Sequence, residues 1–326
     1  MKQAERQTRS HLMSLFERHG FHPRGDLGQN FLIDLNLLDF IVSEARLSGD
    51  DVVLEIGAGT GGLTTLLAEQ AGSVVSVEYD RNVHQLAAEV VADCPNVTLL
   101  RCDALKNKNR FAPQVLGQIE HQLAEGPERS LKLVANLPYN IATPVVSNLV
   151  STDLPWSRMV VTIQLELAER MLAKPRTSAY GSLAVWLQSQ ARVKILRRLP
   201  PNVFWPRPQV NSAIIAVTPD ATRRARIRDR SYFHNYVRRV FQQRRKMLRS
   251  VLCGMLSKQL QKSDVDSLLQ DNGFDGQVRA EELTVAEHVR LANRLVERVA
   301  LNPGATITDA PADTHNGGIS DARSDR

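Results

Sequence analysis

The run Val52-Val53-Leu54-Glu55-Ile56 passes directly into Gly57-Ala58-Gly59-Thr60-Gly61-Gly62, and this join limits the folds open to the chain more than any other stretch. Glycines after a β-branched strand let the backbone turn sharply and approach a ligand at close range before a helix starts. From Asp51 to Ser212 short β-branched runs alternate with longer helical stretches, the pattern of a doubly wound α/β sheet. Strands are expected over residues 52–56, 73–78, 97–101, 131–135, 159–164, 192–196 and 213–217. The first five alternate with crossover helices, which predicts parallel pairing. The last two are joined through Pro200 to Pro208 with no helical pattern between them, which predicts an antiparallel end.

After Pro219 the strand pattern stops, and helices are expected over 232–252, 263–271 and 284–299, the last with Thr284 as N-cap and Glu287 three residues on. The chain therefore divides into an N-terminal extension (1–22), an α/β domain (23–219), a helical domain (220–301) and a tail (302–326) that lacks aromatics and is expected to be disordered. Leu12, Leu15 and Phe16 fall at helical spacing in the extension, and the long connection 106–130 reads as an insertion carrying an amphipathic helix over 114–123. A formal charge of +6 favours a polyanionic partner. Cys94, Cys102 and Cys253 form no C-x-x-C pair and are odd in number, as expected of reduced thiols in the cytoplasm. No apolar run is long enough for a membrane span, the polar residues 1–6 argue against secretion, and the scattered histidines point to no metal site.

Gly57, Gly59 and Gly62 spell G-x-G-x-x-G, and Glu78 closes the next strand, so a nicotinamide-dinucleotide site is one reading. S-adenosylmethionine sites also use a carboxylate there to bind ribose hydroxyls, so Glu78 does not separate the two. Asp103 at the end of the third strand and Asn136 at the end of the fourth favour S-adenosylmethionine, and no hydride-transfer constellation follows. Asn136-Leu137-Pro138-Tyr139 sets an amide, a rigid backbone and an aromatic ring at a strand exit. That combination suits an exocyclic amine on a flat base: Asn136 and the Leu137 carbonyl hold its hydrogens, Pro138 aims that carbonyl, and Tyr139 offers a stacking face. A plain Pro turn explains the tetrapeptide alone equally well. Upstream, Leu27-Gly28-Gln29-Asn30-Phe31-Leu32 precedes the first helix of the α/β domain and is placed to fold over the open side of the cofactor.

Gly28 to Leu32, Glu55 to Gly61, Val77 to Asp80, Asp103 to Leu105, and Asn136 to Asn140 occur in the order of the KsgA/RsmA family, which the chain resembles. These are the small-subunit ribosomal RNA adenine N6-dimethyltransferases. The likeness continues through Gln164 to Arg170, Tyr180 to Leu183, Phe204 to Ala213, Phe241 to Lys246 and Arg279 to Leu283. It implies a Rossmann-like class I methyltransferase domain followed by a small helical domain. It implies S-adenosylmethionine contacts at Asn30, Leu32, Gly57, Glu78, Asp103 and Asn136, with Glu78 serving the ribose and Asp103 the adenine. The catalytic residues it implies are Asn136, Leu137, Pro138 and Tyr139, with Phe204 sandwiching the target base opposite Tyr139. The implied substrate is a pair of adjacent adenines in the 3′-terminal hairpin of small-subunit RNA, in an assembling subunit. The chain departs from the family at Leu27, at Ala58 and Thr60, and in its longer 106–130 connection.

The RNA surface is expected to draw on Arg223, Arg224, Arg226, Arg228 and Arg230, then Arg238, Arg239, Arg244, Arg245, Lys246 and Arg249, a run that a single acid, Asp229, interrupts. A monomer is expected, without membrane association. The competing readings are a large-subunit RNA adenine methyltransferase and a non-catalytic ribosome-assembly factor; Leu137 and the 279–283 segment favour the small-subunit enzyme.

Overall fold

The computed structural model describes residues 9–301; the expected disordered tail, 302–326, and the first eight residues of the extension lie outside the described residues. The strands β1 (Asp51–Ile56), β2 (Ser73–Glu78), β3 (Val97–Arg101), β4 (Ser130–Asn136), β5 (Trp156–Gln164), β6 (Ala191–Leu199) and β7 (Ser212–Pro219) form one sheet in the order β3-β2-β1-β4-β5-β7-β6. β1 to β5 pair in parallel, and β7 runs antiparallel to both β5 and β6. The expected α/β class and the antiparallel end are borne out. Two short ladders were not anticipated: Phe31–Leu32 with Phe204–Trp205, and Leu105–Asn107 with Arg110–Phe111. Strands this short carry too few residues to show a period.

The order places a topological switch between β1 and β4, where connections leave in opposite directions and open a crevice at the carboxyl ends of the strands. Alternation along the strands feeds two cores. Val52, Leu54, Ile56, Leu131, Leu133 and Ala135 face one apolar cluster, while Val53 and Val134 face the other. The second cluster is filled by helices α2 (Leu35–Ala45) and α3 (Gly62–Ala68), which follow an N-terminal helix α1 (Arg9–Arg18). α4 (Arg81–Val90) packs its Val83 and Leu86 against Leu12, Leu15 and Phe16 of α1. The first cluster takes α5 (Pro113–Ala124), close to the helix expected in the insertion, with α6 (Ala142–Ser151), α7 (Leu165–Met171) and α8 (Ser182–Gln188).

That cluster does not stop at Pro219. It continues into α10 (Arg230–Gln242) and α13 (Val285–Ala300), with Phe233 and Tyr236 packed beside Tyr180 and Trp186. A short helix α9 (Ala221–Arg224) comes before them, and α11 (Leu248–Met255) and α12 (Lys262–Asp271) lie between. The single helix expected over 232–252 is two helices, α10 and α11, broken over 243–247. Long-range bonds claim the break: Leu248 N–H donates to the Val278 carbonyl, Met247 bridges Arg279, and Arg244 donates to the Ser178 and Tyr180 carbonyls. The local sequence is helix-forming throughout, so periodicity alone could not reveal the interruption.

His288 lies fully buried where these elements meet. Its Nε2 sits 2.9 Å from the Ala280 carbonyl, an acceptor only, so Nε2 carries the proton and Nδ1 accepts from the Tyr236 hydroxyl at 3.1 Å. Burial holds its pKa down to about 4. The unfolded chain, with His near about 6.5, therefore binds the extra proton first. Stability from this group is complete above that value and drains away as pH falls toward about 4. The melting temperature should drop on acidification between these limits, and His288→Gln should flatten that slope by up to about one proton, about 1.4 kcal/mol per pH unit. Thermal melts across the range check it; an unchanged slope refutes it.

Candidate functional site

The glycine loop begins where β1 ends, and the tetrapeptide where β4 ends, so the switch point brings them together. Gly57 has φ +83°, and a Cβ there would lie 3.1 Å from Pro138 Cδ. Gly59, at φ +58°, would place a Cβ 3.2 Å from the Phe31 ring. Both positions need glycine for conformation and for close approach. The N–H groups of Gly57 and Ala58 donate to the Val77 carbonyl at 2.8 and 3.1 Å, tying the loop to β2.

Glu78 ends β2 behind this loop. Its carboxylate accepts from Gly59 N–H and from Asp80 N–H, each at 3.0 Å. Burial raises its pKa to about 6, against the pull of those two bonds. Glu55, deeper on β1, accepts from the Thr64 and Ser76 hydroxyls at 2.6 Å each, and burial pushes it up to about 8. Glu55 therefore holds its proton at neutral pH and leaves Glu78 as the charge behind the loop.

Across the crevice, Asn136 Nδ2 donates to the Asn30 carbonyl at 2.8 Å, and Asn30 Nδ2 donates to the Gly28 carbonyl at 3.1 Å. The Asn136 amide is thereby oriented with Oδ1 presented as an acceptor. Leu137 is buried, and its N–H donates to the Thr162 carbonyl at 3.1 Å. The Tyr139 hydroxyl lies 2.6 Å from Ser212 Oγ, fixing the ring against β7, and burial raises its pKa.

One cavity collects Asn30, Leu32, Gly57, Glu78 and all of Asn136 to Tyr139. Two of the expected site residues are not among its walls. Asp103 borders the adjoining groove beside Asn140, with Oδ1 accepting from Leu105 N–H at 2.8 Å. Phe204 is buried in the cluster of Leu32 and Leu199, and its backbone pairs with Leu32. Sequence reasoning missed Leu12, which helps line the cavity from α1, and Glu55; the only signal for Leu12 was the helical spacing of α1. Phe16 packs tilted against Phe31 at 5.4 Å and meets Trp205 edge-on at 5.3 Å, so α1 closes over the segment that covers the glycine loop.

The expected RNA-binding residues fall into two kinds. Arg223 pairs with Asp220 and donates to the Gln188 carbonyl, Arg224 donates to the Thr152 carbonyl at 2.7 Å and pairs with Asp153, Arg244 pairs with Glu281, and Arg249 pairs with Asp266. These four also hold structure together. Arg239, Arg245 and Lys246 are exposed, and Arg238 is half-buried beside the groove that Asp103 borders.

The family model for ribosomal RNA adenine dimethylase matches residues 20–297. The chain belongs to that family. It is 38% identical over 283 residues to the ribosomal RNA small subunit methyltransferase A of Pediococcus pentosaceus, covering 86% of this chain and 93% of that one. It is 35% identical to the protein of the same name from Halothermothrix orenii, over 85% and 90% of the two chains. In fold it resembles a dimethyladenosine transferase from Plasmodium falciparum, with TM-score 0.67, 23% identity and coverage of 81% and 97%. It also resembles the 23S rRNA methyltransferase ErmE, with TM-score 0.55, 23% identity and coverage of 82% and 100%. The family uses S-adenosylmethionine, and the nicotinamide alternative is set aside. The cavity fits that cofactor. Gly57 and Gly59 keep open a cradle that a Cβ would fill, and Glu78 supplies a buried carboxylate at its edge for a pair of hydroxyls.

If Glu78 accepts from both ribose hydroxyls it does so best when ionised, so affinity for S-adenosylmethionine should rise with pH through about 6 and level off above it. Glu78→Gln should weaken binding about ten- to a hundredfold, the worth of hydrogen bonds to a charged group, and should abolish the pH dependence. Calorimetric titration between pH 5 and 8 tests both, and a Glu78→Gln protein that binds like the parent refutes the assignment.

Proposed function

We propose that the chain dimethylates N6 of two adjacent adenines in the 3′-terminal hairpin of small-subunit (16S) ribosomal RNA, acting in the cytoplasm as a monomer on an assembling subunit. The observation that carries this reading is the join at the switch point, where Gly57 lies against Pro138 and one cavity is lined by the glycine loop together with Asn136, Leu137 and Tyr139 of the tetrapeptide. The names of the relatives, small subunit methyltransferases, support the choice of substrate. Among the described residues no helix is long and apolar enough to cross a membrane.

S-adenosylmethionine supplies an electrophilic methyl group. Glu78 binds its ribose, Asp103 its adenine, and Asn30, Leu32, Gly57 and Asn136 complete the contacts. The substrate amine is a poor nucleophile because its lone pair is delocalised into the base. Asn136 Oδ1 and the Leu137 carbonyl accept its two hydrogens and turn that lone pair toward the donor. The flipped base stacks on Tyr139, whose ring Ser212 steadies, and Phe204 closes the other face by swinging out of its buried position. Once alkylated, the nitrogen is strongly acidic and loses its proton to water, so no side-chain base is required. The α/β domain, 23–219, carries this chemistry, and the helical domain, 220–301, shares the RNA contact through Arg238, Arg239, Arg245 and Lys246.

Asn136→Ala should leave the melting temperature close to that of the parent and reduce methyl transfer about a hundredfold or more. The assay follows labelled methyl from S-adenosylmethionine into small subunits lacking the modification, with nucleoside mapping of the product. Full activity in the variant would refute the role of Asn136; label in large-subunit RNA instead would refute the substrate.

A further inference from the structure

Between β3 and α5 the chain makes a hairpin, Leu105–Asn107 paired with Arg110–Phe111. Its base is apolar and fixed: Ala104, Leu105, Phe111 and Ala112 are buried in the main core, and Ala112 N–H donates to the Ala104 carbonyl at 2.9 Å. Its tip is different. Lys106, Asn107, Lys108, Asn109 and Arg110 are all exposed, with three cations and no carboxylate. Asn107 Oδ1 accepts from Asn109 N–H at 2.9 Å, which shapes the turn. Lys106, Lys108 and Arg110 form no ion pair among the described residues, whereas Arg223, Arg224, Arg228 and Arg230 each have an acidic partner.

This tip forms one wall of a groove that starts at Asp103 and Asn140, the residue next to Tyr139, and runs along α6 to α10. Arg170 and Arg238 stand in the same groove, so four cations with Lys106 and Lys108 face one carboxylate, Asp103. Arg170, like the lysines, is exposed and forms no ion pair among the described residues. The charge fits a polyanion, and continuity with the tetrapeptide selects which one: the strand that delivers the base.

We infer that the 105–111 hairpin is a phosphate clamp: Lys106 and Lys108 hold the RNA backbone flanking the flipped adenine against Arg170 and Arg238, and so position the base at Asn136 to Tyr139. The inference rests on the proposed function and adds to it residues of the 106–130 connection. An exposed hairpin tip has no need of three cations for folding, since its buried base already fixes its place. Phosphate contacts fix register without reading sequence, which is the requirement for a strand whose bases are recognised elsewhere.

The test compares the full chain carrying Lys106→Glu and Lys108→Glu with a control, Lys258→Glu and Lys262→Glu, which changes net charge equally at exposed positions outside the groove. Methyl transfer to unmodified small subunits is measured as kcat and KM at several salt concentrations. The groove pair should raise KM about tenfold or more, leave kcat within about twofold, and lower the slope of log affinity against log salt by about 1.4, two single-strand phosphate contacts. The control should do none of these. Equal effects from both pairs, or none from the groove pair, overturn the clamp. If the reversed pair melts early, Lys106→Gln with Lys108→Gln replaces it, and the same outcomes decide. Failure of the parent protein itself to methylate small subunits would refute the proposed function instead, so the two failures are distinct.

Discussion

The close approach of the Gly57 backbone to Pro138 is the constraint on which the site depends. β1 and β4 are neighbours because the chain reverses its winding direction between them, and their ends therefore meet. At that meeting a Cβ would intrude to 3.1 Å of the proline ring, and φ is +83°. Only a residue without a side chain keeps the cradle and the tetrapeptide in contact. Pro138 in turn has its φ fixed by its ring and biases Leu137 toward an extended conformation, and the burial of Leu137 and its N–H bond to the Thr162 carbonyl hold it there.

The second requirement is electrostatic. Two carboxyl groups, Glu55 and Glu78, lie buried behind the glycine loop. Burial raises the pKa of both, most for the deeper Glu55, which the charge of Glu78 raises further, and their hydrogen-bond partners differ. Glu55 receives two short hydroxyl bonds and stays protonated to about 8, while Glu78 receives two backbone N–H bonds and ionises near 6. Backbone amides are donors only and favour the charged form. Hydroxyls serve either form. Glu78 is thus charged at the edge of the cavity, beside the Asp80 carboxylate and with no ion pair among the described residues, available to a ligand with hydroxyls to donate.

What could be read from the sequence follows the range of the interactions involved. The strands, the glycine loop and the strand-end positions of Glu78 and Asn136 were legible because alternation and turn chemistry act over a few residues. The break between α10 and α11 was not, because Arg244, Met247 and Leu248 are drawn out of the helix by partners at Ser178, Tyr180, Val278 and Arg279. The commitments of Arg224 and Arg249 to Asp153 and Asp266 were hidden for the same reason. The placement of Phe204 in the core of Leu32 and Leu199 was invisible because it depends on a two-residue ladder between segments more than 170 residues apart.

That ladder bears on how the base is received. Phe31 pairs with Trp205 and Leu32 with Phe204, and Phe16 of α1 packs on both Phe31 and Trp205. The strip that borders the glycine loop and the strip that carries Phe204 are therefore one packed unit. Moving Phe204 toward a base costs the burial it has against Leu32, about 1.5–3 kcal/mol for a side chain of this size, and the stacked base must return it. A stacked base is worth about 1–3 kcal/mol. The two are comparable, so under the proposed function a base stacked on Phe204 would return about what its exposure from the Leu32 and Leu199 cluster costs.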